Sequence, residues 1–102
     1  MIRIRFHAAD LQLELEGHAG YALKGTDVVC AGVSVLAETL ALNLERLSGA
    51  QIQRRAGFLR IKLRESAPEV AVILLGGTLA GLRALAEQYP ENIAWEGEKY
   101  GA

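Results

Sequence analysis

G-H-A-G-Y-A-L-K-G-T-D-V-V-C-A-G-V-S-V-L, residues Gly17–Leu36, joins an alternating segment to the first helix-period segment of the chain. It carries the only cysteine, Cys30, and one of two histidines, His18, on either side of a glycine-rich turn region. Gly17, Gly20, Gly25 and Gly32 are four of the eleven glycines, and glycine makes positive φ inexpensive and lets another backbone come close. A helix-like apolar pattern begins immediately after the cysteine, which puts Cys30 at or just before a helix N-terminus. Unpaired N–H groups and the positive end of the helix dipole are found at such a terminus, a setting that favours thiolate over thiol.

Upstream, Ile2, Ile4, Phe6 and Ala8 alternate with Arg3, Arg5 and His7, and Leu11, Leu13 and Leu15 with Gln12, Glu14 and Glu16. Period-two alternation is the mark of a half-buried strand, so a β-hairpin turning at Ala9-Asp10 is expected. Continuing the second alternation places Gly17 on the core side and His18 on the polar side, at the strand's end. There a histidine can meet a substrate, or simply be solvated.

Downstream, Val33, Leu36, Leu40, Leu44 and Leu47 carry an amphipathic helix from about Ala31 to Ser48. Asp27 can cap its start, and Gly49 is placed for its C′ stop. Gln51–Arg55 and Leu59–Arg64 read as a second hairpin turning at Ala56-Gly57. Ser66-Ala67-Pro68-Glu69 reads as a helix start with Ser66 as N-cap, followed by the stripe Leu75, Leu79, Leu82, Ala86 and Tyr89, with Pro90 as the stop. Gly76, Gly77 and Gly81 weaken that helix by roughly 1 kcal/mol each relative to Ala. They serve either close helix approach, including across a dimer, or as tolerated small residues inside one chain. Residues 93–98 read as a short final strand. The order ββ-α-ββ-α-(β) gives an α+β fold, a two-layer α/β sandwich with a mostly antiparallel sheet on two helices, expected as a single domain over residues 1–102.

A hydrophobic fraction of 51% and only two prolines exclude a disordered chain. A net charge of −1 offers no global attraction to nucleic acid or an anionic membrane. One cysteine cannot close an internal disulfide. Arg3 and Arg5 interrupt the N-terminus, so it is no signal-peptide core, and the longest apolar run, Val70–Leu82, falls short of the ~20 residues that cross a bilayer. A cytoplasmic protein without membrane contact is the expectation.

His7 and His18, eleven apart with one cysteine, match no zinc spacing. The glycines form neither a dinucleotide fingerprint nor a P-loop, so no metal or cofactor is expected. Arg54, Arg55, Arg60, Lys62 and Arg64 could touch RNA, but without interleaved aromatics a solvated sheet face is the plainer reading. Cys30 and His18 remain. Most lone cysteines are small buried hydrophobes; the helix start, the strand-end histidine and the intervening glycines favour a nucleophile with its base. N–H groups of Cys30 and of Ala31 or Gly32 would then face the oxyanion, with Gly17 shaping the loop backbone. Ser34, one turn on, can bond near the thiolate or back to its own helix. Asp27 can orient the imidazole or merely cap.

Gly17-His18-Ala19, a glycine before Asp27, and then Asp27-Val28-Val29-Cys30-Ala31-Gly32-Val33-Ser34-Val35-Leu36 closely resemble the signature of the bacterial ribosomal-processing cysteine protease family, Prp. A weaker likeness extends to the C-terminal helix and Ala86-Glu87-Gln88-Tyr89-Pro90. The resemblance implies a small cytoplasmic endopeptidase, homodimeric, that trims a short N-terminal extension from large-subunit ribosomal protein twenty-seven after an aromatic residue. It implies Cys30 as nucleophile and His18 as base, with supporting roles for Asp27 and Ser34. The loop over residues 19–26 is expected to order on binding peptide. The alternative is a non-enzymatic ribosome-associated assembly or regulatory module that uses the basic hairpin.

Overall fold

The computed structural model describes residues 1–18, 20, 22 and 27–97. Most of the loop expected to order on peptide binding, and Glu98 of the expected last strand, lie outside the described residues. The elements are β1 (Ile2–His7), β2 (Gln12–Gly17), α1 (Val28–Arg46), β3 (Ala50–Arg55), β4 (Phe58–Leu63), α2 (Glu69–Gln88) and β5 (Ile93–Gly97). They form one five-stranded sheet in the order β3-β4-β2-β1-β5. All pairs are antiparallel except β1 with β5, which run parallel. The α+β, two-layer reading therefore stands.

The core lies between the sheet and its two helices. Ile2, Ile4, Phe6, Leu13, Leu15, Leu59, Ile61 and Leu63 supply the sheet side; Val29, Val33, Leu40 and Leu44 of α1, and Ala71, Leu75, Leu79 and Leu82 of α2, supply the helix side. Each large apolar side chain so buried contributes about 1.5–3 kcal/mol. The helices meet where side chains are smallest. A Cβ on Gly81 would stand 3.3 Å from Leu36 Cδ1, and one on Gly32 3.5 Å from Leu85 Cδ1. Gly81 thus serves packing within the chain, whereas a Cβ on Gly77 would meet open space.

The opposite face of the sheet is a charge ladder. Gln53, Arg60, Glu14, Arg5 and Glu96 stand opposite one another across all five strands. Arg60 donates to Gln53 and Glu14, and Arg5 to Glu16 and Glu96. Burial pushes the Glu14 carboxyl upward, but the hydrogen bond and charge of Arg60, helped by Gln12 and Arg5, outweigh it and hold Glu14 below the usual carboxylate value.

Four local expectations shift. The first hairpin closes through a 3-10 turn, Ala8–Asp10, with Leu11 left-handed at φ 48°, so Leu11 belongs to the turn and not to the strand. Helix α1 starts at Val28, not Ala31, because Asp27 caps it there. Its left-handed C′ residue is Ser48 (φ 52°), not Gly49. The Ser48 N–H reaches Glu45 O and the Gly49 N–H reaches Leu44 O, the Schellman pattern. Gly49 is instead buried, where a Cβ would sit 3.4 Å from Ala71 Cβ. Finally Pro68, not Ser66, occupies the N-cap of α2; a residue preceding proline is disfavoured in helical conformation, which keeps Ala67 out of the helix.

Candidate active site

Strand β2 ends at Gly17, whose φ of +100° turns the chain off the sheet. A Cβ there would collide with the carbonyl oxygen of Met1, so only glycine fits. Gly17 is exposed, not core-facing as the alternation predicts, because the strand ends at this residue. His18 follows it, exposed at the rim of the sheet. The Gly17 N–H donates to Gly57 O at 2.9 Å, which lays the β3–β4 turn beside the histidine.

Cys30 is half-buried in the first turn of α1, inside the helix and not before it. Asp27 takes the N-cap: its Oδ1 accepts the Cys30 N–H at 2.9 Å, and its carbonyl accepts the Ala31 N–H at 3.1 Å. Its Oδ2 accepts the Ala22 N–H at 3.4 Å, tying the loop to the helix start. Asp27 retains only 9% of its exposure. Asp27 therefore caps α1. The same bonds remove the Cys30 and Ala31 N–H groups from the expected oxyanion donors. The Gly32 N–H, four residues beyond Val28, belongs to the helix ladder, and Gly32 faces α2. Gly17 shapes the backbone at the loop's start, as its φ requires.

His18, Cys30 and Ser34 line two concavities at once. One, of about 250 Å³, lies between α1, the end of β2 and the β3–β4 turn, with Leu15, Val33 and Leu59 as apolar walls and Glu16 and Glu38 also lining it. The other, of about 420 Å³, runs past Gly20, Ala22, Asp27 and Ala31 and is mostly apolar. A roomier cleft of about 690 Å³ opens beside Asp10, Lys62 and Arg64 at the other end of the sheet, but it contains neither cysteine nor histidine. Among the described residues no group of three His, Cys, Asp or Glu is placed to hold a metal ion.

The basic hairpin is largely spent inside the chain. Arg54 is held by Glu38 and Glu45 of α1, Arg55 stacks on Phe58 with its guanidinium 3.8 Å from the ring centre, Arg60 binds Glu14, and Lys62 lies 4.0 Å from Asp10. Sequence reasoning missed Gly57, Phe58, Glu16 and Glu38 as neighbours of the cysteine. Their placement depends on β2 pairing with β4 and on α1 crossing above them, and no local pattern encodes either.

The model of the cysteine protease Prp family matches residues 1–94. The chain belongs to that family. The ribosomal processing cysteine protease Prp of Bacillus subtilis (strain 168) is 29% identical over 91 residues, which cover 81% of this chain and 81% of that one. The fold is shared with an essential ribosomal processing protease Prp from S. aureus, solved in complex with a covalently linked product peptide: TM-score 0.80, 23% identity, 95% of this chain and 97% of that chain. SMU.848 from Streptococcus mutans has a TM-score of 0.69 at 30% identity, covering 94% and 90% of the two chains. The Prp fold therefore accounts for this chain nearly end to end, and its family is one of ribosomal-processing cysteine proteases.

Proposed function

We propose that this chain removes a short N-terminal extension from large-subunit ribosomal protein twenty-seven, cutting after an aromatic residue, with Cys30 as nucleophile and His18 as base. The observation that carries the reading is that a helix-start cysteine and a strand-end histidine line the same two concavities. Support for the substrate class comes from the ribosomal-processing name of the Bacillus relative. The S. aureus structures with substrate and product peptides add to it.

In this scheme Cys30 Sγ attacks the scissile carbonyl carbon while His18 takes the thiol proton and passes it to the leaving amine. A thioester remains on Sγ. Water, deprotonated by the same imidazole, hydrolyses it and regenerates the thiol. The chemistry asks for no metal or cofactor. The oxyanion needs donors other than the Cys30 and Ala31 N–H groups, which hold Asp27. Asp27 acts as a positioning residue for Cys30 through the cap, and Ser34 lies beside the reacting atoms.

The non-enzymatic alternative rests on a free basic hairpin, and the internal ion pairs of Arg54, Arg60 and Lys62 weaken it. We assign the protein to the cytoplasm, as one domain over residues 1–102, acting as a homodimer. For the dimer the support is the outer face of the helices, where Val28, Val35 and Leu42 of α1 and Val70 and Ile73 of α2 are exposed.

The test is a synthetic peptide spanning the extension and its junction, incubated with wild type, Cys30→Ala and His18→Ala and read by mass spectrometry. One cut by wild type and none by the two folded variants is expected. Cleavage by Cys30→Ala would sink the assignment.

A further inference from the structure

Two independent contacts meet at Gly57, in the turn between β3 and β4. Its carbonyl oxygen accepts the N–H of Gly17, the residue before His18, at 2.9 Å. Separately, a Cβ built on Gly57 would stand 3.7 Å from His18 Nε2, so the bare Cα of the glycine faces the imidazole. The turn therefore holds the backbone that carries the histidine and turns its bare Cα toward the ring. Its φ of +68° also calls for glycine, but asparagine tolerates that region too.

The turn is pinned at its base. Phe58, the next residue, alternates with the core residues Leu59 and Ile61, so its side belongs to the open face of the sheet. Yet it is only 8% exposed, because the guanidinium of Arg55 roofs the ring at 3.8 Å and that of Arg60 approaches it at 5.2 Å. Such cation–π contacts join the two ends of a two-residue turn. A stiffened turn is what an exposed side chain at a strand's end needs if it is to keep one orientation.

The geometry points to Gly57 as a positioning residue for the base: the β3–β4 turn is the seat of His18, and the glycine is used for its bare face toward Nε2 as well as for its φ. This rests on the reading of His18 as the base. The same imidazole must accept the thiol proton and then deliver it to the leaving amine, so its orientation governs both steps. A displacement of ~1 Å in such a group can cost about 100-fold in rate. A Cβ at position 57 would stand in van der Waals contact with Nε2 and take the space beside it that the bare Cα leaves open.

The test compares Gly57→Asn, which accepts the positive φ but carries a Cβ, with wild type and His18→Ala on the same synthetic junction peptide. The expected result is a kcat lowered about tenfold or more, with KM and the thermal midpoint close to wild type. A merely structural glycine would show the opposite, wild-type kcat once φ is satisfied, and that result overturns the inference. If His18→Ala still cuts, the base assignment falls and the inference with it. If His18→Ala is dead and Gly57→Asn is fully active, the inference falls alone. Should Gly57→Asn not fold, Arg55→Ala, which removes the stack on Phe58 and leaves the turn's φ untouched, carries the test. A fall in kcat at constant KM supports the seat, and unchanged kcat overturns it.

Discussion

The buried carboxylate of Asp27 accepts the backbone N–H of Cys30 at 2.9 Å, so the residue that starts α1 also holds the cysteine's own peptide unit. Helix formation and site geometry therefore share one hydrogen bond. Replacing an N-cap Asp by Ala costs about 1 kcal/mol, whereas Asn caps as well as Asp. Asp27→Ala is expected to lower stability in urea by about that amount and to reduce peptide cleavage. Asp27→Asn should keep most of both, if the cap and not the charge is what matters. Activity lost in Asp27→Asn at unchanged stability would give the carboxylate a further role.

The charge ladder predicts a pH dependence on the acid side. Glu14, only 12% exposed, is held below its ordinary value in the folded chain, against burial, by Arg60 first and then by Gln12 and Arg5. The unfolded chain thus binds a proton more readily than the folded one. The stabilisation is complete above the ordinary carboxylate value of 4.5 and is lost as pH falls through the lower folded value. Thermal midpoints followed downward from pH 6 should fall, and the fall should be shallower in Glu14→Gln. An equal slope in both would show that Glu14 does not carry the linkage.

Much of the fold was legible because its signals are local. Ile2-Ile4-Phe6 and Leu13-Leu15 alternate against charges and became strands, and Val33-Leu40-Leu44 and Leu75-Leu79-Leu82 recur at helical spacing and became the buried stripes. The errors fell where a local preference was overruled. The apolar stripe put the start of the first helix at about Ala31, whereas the Asp27 cap sets it at Val28. Ser48 takes a left-handed φ, which disfavours any residue with a Cβ, and the two Schellman hydrogen bonds hold it there while Gly49 packs against Ala71. Cys30 and His18 were legible as residue types at a fixed spacing, and the structure brings both to the lining of the same two concavities. The Gly57 seat was not, since it exists only after β4 has paired with β2, far away in sequence.

The helix glycines separate by what a methyl would meet. At Gly77 an added Cβ finds open space, so Gly77→Ala should gain about 0.5–1 kcal/mol from lost unfolded-state entropy and better helix propensity. For a chain of this size that is a thermal midpoint higher by about 2–8 °C. At Gly81 the Cβ meets Leu36 Cδ1 at 3.3 Å, so the same propensity gain is offset by the shift forced on Leu36. Gly81→Ala should therefore gain less than Gly77→Ala in a scanning-calorimetry comparison. The reverse order would mean that the outer face of α2 is covered.

The homodimer proposed above would use the outer faces of the two helices. Val28, Val35 and Leu42 lie seven residues apart on α1, hence on one side of it, and all three are exposed. On α2, Val70, Ile73, Gly77, Ala80 and Ala84 form a second exposed apolar stripe. Both helices are long and apolar enough by composition to cross a membrane, yet each spends one stripe on the core, and what remains is this outer face. An exposed apolar face of that kind marks an interaction surface, and a second copy of the chain presents the matching stripe. The double variant Val35→Glu/Ile73→Glu places four like charges across such an interface and none against the core. It is expected to sediment as a folded monomer where wild type sediments as a dimer. A wild-type monomer at tens of micromolar, or a double variant that stays dimeric, would remove this face from the assembly.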